Sequence, residues 1–371
     1  TVRSRNAGKQ TSDRGYGLND MPVGIVTSSP IGPQPRKTAT VRVLVVDDSV
    51  VARTVITRMV DSFTGFAVAA TVSDVAAALA YLKREQVDII LLDIEMPGVD
   101  GLTALPDLLR AGQGARILVV SSACDEGGAA AVQALALGAA DTLVKPAAGN
   151  LASRFSQALC ERLERLTAKP VHALARVPSG DVKPGRDFDI VAIGASTGGI
   201  HALSQVLRAL PAEFDLPILV TQHLPASFMG YFAAQLALLA NRPCDVATDH
   251  MRIRPGRMIV APGDAHLRCV RMSDGVALRL THERAVSGCM PSVDPMLSSV
   301  AEIYGARALA VVLSGMGKDG MFGAAELHAE GGTVIVQDQE SSVVWGMPGA
   351  IASAGHACAV MAPAEIGALV A

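Results

Sequence analysis

Short, uninterrupted apolar runs alternate with helical patterns along most of the chain, and this alternation constrains the fold more than any other feature. In the first half the runs are VRVLVV (41–46), FAVAAT (66–71), VDIILL (87–92), ARILVV (115–120) and DTLV (141–144). Continuous apolar strands separated by helices indicate a parallel α/β sheet that is covered on both faces. We therefore expect a (βα)5 domain over residues 41–165, closed by an amphipathic helix in LASRFSQALCERLERL.

The second half has the same organisation. Its runs are FDIVAIG (188–194), LPILVTQ (216–222), RMIVAP (257–262), ARALAVVLS (306–314) and GTVIVQD (332–338). Between the third and fourth runs, RCVRMSDGVALRLTH carries Ser-Asp-Gly between two alternating segments, which is typical of a β-hairpin. We expect a doubly wound, mostly parallel α/β domain over residues 188–371, with this antiparallel hairpin inserted in its sheet.

Composition sets the remaining boundaries. Residues 1–40 are rich in Gly, Pro, Ser and Thr and predict a flexible tail, and residues 166–187 predict a linker. The net charge of −3 gives no positive electrostatic potential to attract nucleic acid, so we expect no nucleic-acid partner. The six cysteines form no C-x-x-C pair and no apolar run reaches 18 residues, so we expect a cytoplasmic protein with reduced thiols and no membrane insertion.

Polar residues stand at consecutive strand ends of the first domain. They are Asp47, Asp48, Asp93, Ser121 and Lys145. The carboxyl ends of parallel strands meet at one edge of a sheet, and converging carboxylates need a hard cation such as Mg²⁺. A carboxylate beside Mg²⁺ and a lysine can accept a phosphoryl group, with Asp93 as the nucleophile. The alternative for any single aspartate is a helix cap.

This pattern, with LDIEMPGVDGL around Asp93, resembles the receiver domain of bacterial response regulators over residues 40–165. The resemblance implies phosphotransfer to Asp93 from a histidine kinase, with Lys145 and Ser121 contacting the phosphoryl group. It implies a cis peptide bond between Lys145 and Pro146.

The resemblance also assigns the metal ligands and exposes one departure. Mg²⁺ would be held by Asp48, Asp93 and the carbonyl of Glu95, with Asp47 in support. Thr142 stands where receivers usually carry an aromatic residue that moves on phosphorylation.

The segment GASTGG, residues 194–199, follows the first strand of the second domain. It could be a dinucleotide phosphate loop, a nucleophile elbow around Ser196, or only a tight strand-to-helix turn. A dinucleotide site requires G-x-G-x-x-G and an acidic residue at the end of the next strand. Here the spacing is G-x-x-x-G-G and the next strand ends in Thr221-Gln222-His223, which disfavours the cofactor.

A serine nucleophile needs a base and a group that orients the base. His223 ends the next strand, and Asp319 lies in GMGKDG after a later strand, so both are expected at the same sheet edge as Ser196. The plain alternatives are a helix cap for Ser196, a structural histidine, and a helix cap for Asp319. His266 is a rival base.

The ordered set GASTGG, TQHLP, APGDAH, PSVD, SGMGKDG and QDQESSVVWGMPGA resembles the chemotaxis protein-glutamate methylesterase family. With the receiver in front, the resemblance covers residues 40–371. It implies Ser196 as nucleophile, His223 as base and Asp319 as the residue that orients it. The backbone amides of Thr197 and Met316 would form the oxyanion hole, and the esterase site would need no cofactor.

The implied reaction is hydrolysis of glutamate methyl esters on the cytoplasmic helices of chemoreceptors, with deamidation of receptor glutamines as a further activity. A chemotaxis histidine kinase would be the phosphodonor, and the unphosphorylated receiver would cover the cleft. Leu224, Met290 and Ser314 differ from frequent residues of the family without removing a catalytic atom. The alternatives are a phosphorylation-switched adaptor without turnover and an unrelated serine hydrolase.

Overall fold

The computed structural model describes residues 40–121, 125–145, 152–167 and 188–371. The predicted tail up to residue 39, residues 168–187 of the predicted linker, and the Lys145–Pro146 peptide bond lie outside these ranges. Both sheets belong to one unit, Ala39–Ala371. Within the described ranges, no helix is long and apolar enough to cross a membrane.

The first sheet confirms the predicted (βα)5 arrangement. Its five strands are all parallel and lie in the order β2-β1-β3-β4-β5. The strands are β1 (Val41–Val46), β2 (Phe66–Val72), β3 (Ile89–Asp93), β4 (Arg116–Ser121) and β5 (Asp141–Val144). The helices are α1 (Val50–Ser62), α2 (Val75–Leu82), α3 (Gly101–Ala111), α4 (Asp125–Leu137) and α5 (Ala152–Thr167).

Local sequence explains where the helices of this domain begin. The side chains of Ser49, Asp74 and Asp100 accept hydrogen bonds from backbone amides in the first turns of α1, α2 and α3. Such caps satisfy amides that have no partner within the helix. The continuous apolar strand β3 is buried along its whole length, as expected of a central strand covered on both faces.

The second sheet has seven strands in the order β14-β13-β12-β6-β7-β9-β8, and every neighbouring pair is parallel. The strands are β6 (Ile190–Ala195), β7 (Ile218–Gln222), β8 (Cys244–Val246), β9 (Met258–Val260), β12 (Ala308–Val312), β13 (Thr333–Gln337) and β14 (Ala359–Met361). The helices are α6 (Gly199–Arg208), α7 (Ala226–Ala240), α8 (Val293–Tyr304), α9 (Met321–Ala329), α10 (Met347–Ser353) and α11 (Pro363–Val370). This confirms the doubly wound α/β class.

The hairpin, β10 (His266–Met272) and β11 (Gly275–Thr281), corrects one expectation. It is antiparallel as predicted, but it forms a two-stranded sheet of its own instead of entering the main sheet. Both edges of β9 are already paired, with β7 and with β8, so no position is open there. The hairpin packs instead on α8, where the Cys269 amide donates to the Ser299 hydroxyl at 2.9 Å.

Helix α4 of the first domain packs against α6 and α7 of the second. Gly128 on α4 lies so close to the Tyr231 ring that an added Cβ would stand 3.1 Å from it. His201 Nδ1 lies 3.1 Å from the carbonyl oxygen of Ala136. Buried apolar residues of the two domains form one continuous cluster, so the receiver-like domain is packed onto the second domain.

Candidate active site

Ser196 lies in the turn between β6 and α6. Its amide donates to the Ser314 carbonyl at 3.0 Å, and its carbonyl accepts from the Gly199 amide at 2.8 Å. The N-cap of α6 is Gly198, at φ +75°, so the Ser196 hydroxyl does not cap the helix. Among the described residues that hydroxyl has no hydrogen-bond partner, so the capping alternative is wrong and the oxygen is available for chemistry.

His223 and Asp319 form a directed pair, as the sequence predicted. His223 Nε2 lies 2.7 Å from Asp319 Oδ2. The Ser292 hydroxyl donates to Asp319 Oδ1 at 2.6 Å and the Val293 amide donates to Oδ2 at 2.7 Å. The cap of α9 is Gly320 with no side-chain hydrogen bond, so Asp319 does not serve as that cap. The buried carboxylate is therefore fixed to hold the imidazole.

The protonation of this pair follows from its contacts. Burial opposes the charged imidazolium, but hydrogen bonds to Asp319 and Cys289 outweigh it and raise the pKa of His223 to about 9. Burial opposes the charged carboxylate of Asp319, yet His223 holds the pKa of that carboxyl well below its usual range. Since Nε2 faces Asp319, a neutral ring with its proton there leaves Nδ1 free to accept another.

His223 follows β7 and Ser196 follows β6, and the ends of these adjacent strands pair through Ala195 and Gln222. This places both residues at one edge of the sheet. In the described structure, no hydrogen bond joins the Ser196 hydroxyl to the His223 ring. In proteins without bound substrate such contacts are often long and tighten only in the reacting complex.

Two backbone amides at the cleft are unused. Within the described ranges, neither the Thr197 amide nor the Met316 amide donates to a protein acceptor. The Ser314 hydroxyl donates to the Thr197 carbonyl at 2.8 Å, which fixes this turn. Thr197 and Met316 line a cleft of about 470 Å³ together with Ser196 and His223. Ser314 preserves the hydroxyl that a threonine at this position would provide.

The rival base is ruled out by its contacts. His266 is fully buried, its Nδ1 accepts from the Ser292 amide at 2.9 Å, and its Nε2 lies 2.8 Å from the Glu283 carbonyl oxygen. Both ring nitrogens are therefore occupied by backbone groups. His266 supports the loop that carries Ser292 and is not available for proton transfer.

Three residues near the pair were missed from the sequence. Ser292 bonds Asp319 directly, and Cys289 faces His223. Asp294 accepts from the Gly323 amide at 2.9 Å, while burial and the charge of Asp319 raise its pKa to about 6. The PSVD motif, which contains Ser292 and Asp294, was the available signal.

The acidic residues of the first domain converge as predicted. Carboxylate oxygens of Asp47, Asp48 and Asp93 lie within 4.8 Å of one another. Lys145 Nζ lies 2.6 Å from Asp93 Oδ2 and 3.0 Å from Asp47 Oδ2, the latter without a well-directed hydrogen bond. The Ser121 hydroxyl is buried, and no described residue bonds it. These hard oxygen donors and the poorly satisfied Asp47 oxygen fit a Mg²⁺ site.

The contacts of Asp93 rule out the helix-capping alternative. The caps of α1 and α3 are Ser49 and Asp100, so Asp93 caps neither helix. Burial raises its pKa although the Lys145 ammonium acts in the opposite direction. The Glu95 amide donates to Asp93 Oδ1 at 3.3 Å, which brings the backbone of Glu95 to the site.

The first domain also reaches the Ser196 turn. The Gly198 amide donates to the Ala140 carbonyl at 3.0 Å. The Thr197 hydroxyl donates to Asp141 Oδ2 at 3.4 Å, and Arg162 Nη1 holds the two carboxylate oxygens of Asp141 at 2.7 and 2.6 Å. Leu135, Asp141, Arg162 and other residues of this domain form one wall of the cleft.

Comparison with known proteins identifies the family of each half of the chain. Residues 43–155 match the response regulator receiver domain, and residues 191–370 match the CheB methylesterase. A protein-glutamate methylesterase/protein-glutamine glutaminase of Paramagnetospirillum magneticum is 39% identical, over 89% of this chain and 95% of that protein. This chain belongs to that family.

A second relative with the same name, from Caulobacter vibrioides, is 41% identical over 88% of this chain and 96% of its own length. The catalytic domain of the Thermotoga maritima CheB methylesterase is 38% identical, with a TM-score of 0.48. The match covers 49% of this chain and 97% of the Thermotoga domain. The predicted family and the predicted enzyme class, an ester hydrolase of two-component chemotaxis signalling, are confirmed.

Proposed function

We propose that this chain is a phosphorylation-activated serine hydrolase that removes methyl esters from glutamates of chemoreceptors. The observation that carries the proposal is a cleft lined by Ser196, His223 and two unused amides, with Asp319 bonded to His223 behind it. The names of the relatives supply the substrate, glutamate methyl esters in protein, and a second activity on protein glutamine. Deamidation of receptor glutamines is part of the proposal.

The reaction follows from the positions of these groups. His223 takes the proton of the Ser196 hydroxyl as the oxygen attacks the ester carbonyl, and Asp319 stabilises the imidazolium that forms. The amides of Thr197 and Met316 donate to the developing oxyanion, where one donor is worth about 2.7–4 kcal/mol. Methanol leaves with the proton from His223. A water molecule then cleaves the acyl-enzyme to give the glutamate carboxylate and free Ser196.

The receiver contacts support a regulatory role for phosphorylation. Asp93 would accept the phosphoryl group, with Lys145 and Ser121 contacting its oxygens. Mg²⁺ held by Asp48, Asp93 and the Glu95 carbonyl, with Asp47 in support, would neutralise charge at the phosphoryl group during transfer.

Strand β5 connects the two sites. Lys145 follows its end, whereas Asp141, at its start, contacts Thr197 in the cleft. Added charge at Asp93 changes the contacts of Lys145 and so biases the docking of the receiver on the cleft. Phosphorylation would thereby open the site to receptor.

The partners follow from the two halves of the chain. A chemotaxis histidine kinase would be the phosphodonor, and the cytoplasmic helices of a methylated chemoreceptor would be the substrate. Because both proposed partners act in the cytoplasm, the proposed activity would be cytoplasmic.

Methanol release from a methylated receptor tests the proposal. We expect release by the wild-type chain and none above background by Ser196→Ala, which should still be phosphorylated on Asp93. Undiminished release by this variant would refute Ser196 as nucleophile. Receptor binding without release would support the adaptor instead, and hydrolysis of small esters but not receptor would support an unrelated hydrolase.

A further inference from the structure

Cys289 completes a cluster of metal-binding groups beside the catalytic pair. Its Sγ, a ring nitrogen of His223 and a carboxylate oxygen of Asp319 all lie within 4.8 Å of one another. Within it, His223 Nε2 lies 2.7 Å from Asp319 Oδ2. Cys289 and His223 line the cleft, so the cluster can be reached from it.

The surrounding contacts hold this cluster in place. The Cys289 amide donates to the Ser287 hydroxyl at 3.3 Å, and that hydroxyl donates to the Ser292 hydroxyl at 3.3 Å. Ser292 in turn bonds Asp319. The loop that carries the thiol is therefore tied to the carboxylate that holds the imidazole. Cys289 itself lies between β11 and α8, outside regular secondary structure.

We propose that Cys289, His223 and Asp319 form an inhibitory site for a thiophilic divalent cation, with Zn²⁺ as the best match. Thiolate, imidazole and carboxylate are the ligands that zinc takes, and three protein ligands leave a fourth position for water. Around a tetrahedral zinc ion such donors stand about 3.4–3.6 Å apart. Binding would therefore require the His223–Asp319 separation to widen from 2.7 Å to about 3.4 Å. Mg²⁺ prefers oxygen ligands and does not suit the thiol.

Binding at this cluster would stop the esterase. A neutral imidazole has one unprotonated nitrogen. A cation bound to either nitrogen takes that lone pair, so His223 can no longer accept the Ser196 proton. Metal ligands bind in their deprotonated forms, so binding strengthens with rising pH. The inhibition rests on the proposed function, whereas the binding does not.

Co²⁺ gives a test of binding that does not depend on activity. With the full chain and Mg²⁺ in excess to fill the receiver site, Co²⁺ should produce a thiolate-to-cobalt charge-transfer band. The band should vanish in Cys289→Ser and persist in Cys358→Ser, whose thiol lies 3.9 Å from His328 Nδ1 elsewhere in the fold. No band in the wild type, or loss of the band only in Cys358→Ser, would overturn the site.

The inhibition is tested by methanol release in increasing Zn²⁺, with each chain compared with its own zinc-free rate. Changes in groups around a metal typically alter affinity by about 10–100-fold, and losing a ligand should do no less. We expect Cys289→Ser to need at least about tenfold more Zn²⁺ for half inhibition, and a chelator to restore the wild type. Equal sensitivity of both chains would overturn the inhibitory role. If no chain releases methanol, the proposed function fails while the Co²⁺ result still decides the site.

Discussion

The Gly198 amide donates to the carbonyl oxygen of Ala140 at 3.0 Å, so the receiver contacts the chain two residues beyond Ser196. Beside this bond, Asp141 accepts from the Thr197 hydroxyl, and the Thr197 amide is one of the two proposed oxyanion donors. Movement of the receiver would therefore change both access to the cleft and the restraint on the nucleophile turn. In the proposed function, regulation and catalysis would meet at three consecutive residues, 196–198.

Enlarging Gly128 should activate the unphosphorylated enzyme. A side chain there meets the Tyr231 ring, and overpacking of this kind costs about 1–3 kcal/mol. We expect Gly128→Leu to raise basal methanol release by about fivefold or more, in the range of typical allosteric coupling. The matched control is Gln133→Leu, an exposed position on the same helix, which should leave the basal rate unchanged.

Activity should rise with pH until His223 is neutral. The pKa of this ring is raised to about 9, and only the neutral form can accept the Ser196 proton. We expect kcat/KM to increase from neutral pH and to level off near pH 9, after subtraction of the Ser196→Ala background. Cys289→Ser removes one group that raises this pKa, so its profile should shift to lower pH. Identical profiles would contradict the assigned contact.

The same ring should affect stability in the opposite sense. Its folded-state pKa exceeds the unfolded value of about 6.5, so the stabilising interaction is fully present below that pH. This contribution is lost as the pH rises through about 9. The Tm of the wild type should therefore fall more between pH 6.5 and pH 9 than the Tm of Asp319→Asn, in which the charged partner is absent.

Gly315 should be essential because it lies against Ser196, the proposed nucleophile. A Cβ there would overlap Met347 Sδ and stand 2.8 Å from Ser196 Cβ, so an alanine forces a shift in the backbone beside the serine or in the serine itself. A misplacement of about 1 Å can lower the rate about a hundredfold, and we expect a loss of that size in kcat for Gly315→Ala. Gly230→Ala is the control, because an added Cβ there meets nothing within 4 Å. Wild-type kcat in Gly315→Ala would contradict the assigned geometry.

The sequence alone predicted the features that depend on the residues within and just after each strand. Continuous apolar runs predicted the parallel strands of both sheets, and polar residues at their ends predicted which side chains would converge. The pairing of His223 with Asp319 followed from motif order together with the rule for strand ends, although 96 residues separate them.

Features set by long-range packing were not accessible in this way. The three-residue strands β8 and β14 are too short to give a periodic signal. The hairpin lies on α8 because β9 is already paired on both edges, which no local pattern reveals. Cys289 and Ser292 join the site through a loop with no regular repeat. The contact of Asp141 with Thr197 depends on how two domains pack.

Removal of divalent metal should abolish phosphorylation of the receiver without abolishing ester cleavage. The carboxylate cluster of Asp47, Asp48 and Asp93 needs a cation to accept a further anion, whereas the proposed ester cleavage uses only protein groups and water. In the presence of a chelator, an acyl phosphate should fail to phosphorylate the metal-free chain. Basal methanol release by the metal-free chain should continue. Added Mg²⁺ should restore phosphorylation. Phosphorylation without metal would contradict the assigned role of the cluster.

The most direct test is methanol release from methylated receptor by the full-length chain, before and after phosphorylation by an acyl phosphate with Mg²⁺. Asp93→Asn serves as the control that cannot be phosphorylated. The account predicts that phosphorylation raises the wild-type rate by about 5–150-fold, the usual span of allosteric coupling, and leaves the rate of the variant unchanged. Equal wild-type rates before and after phosphorylation would contradict it.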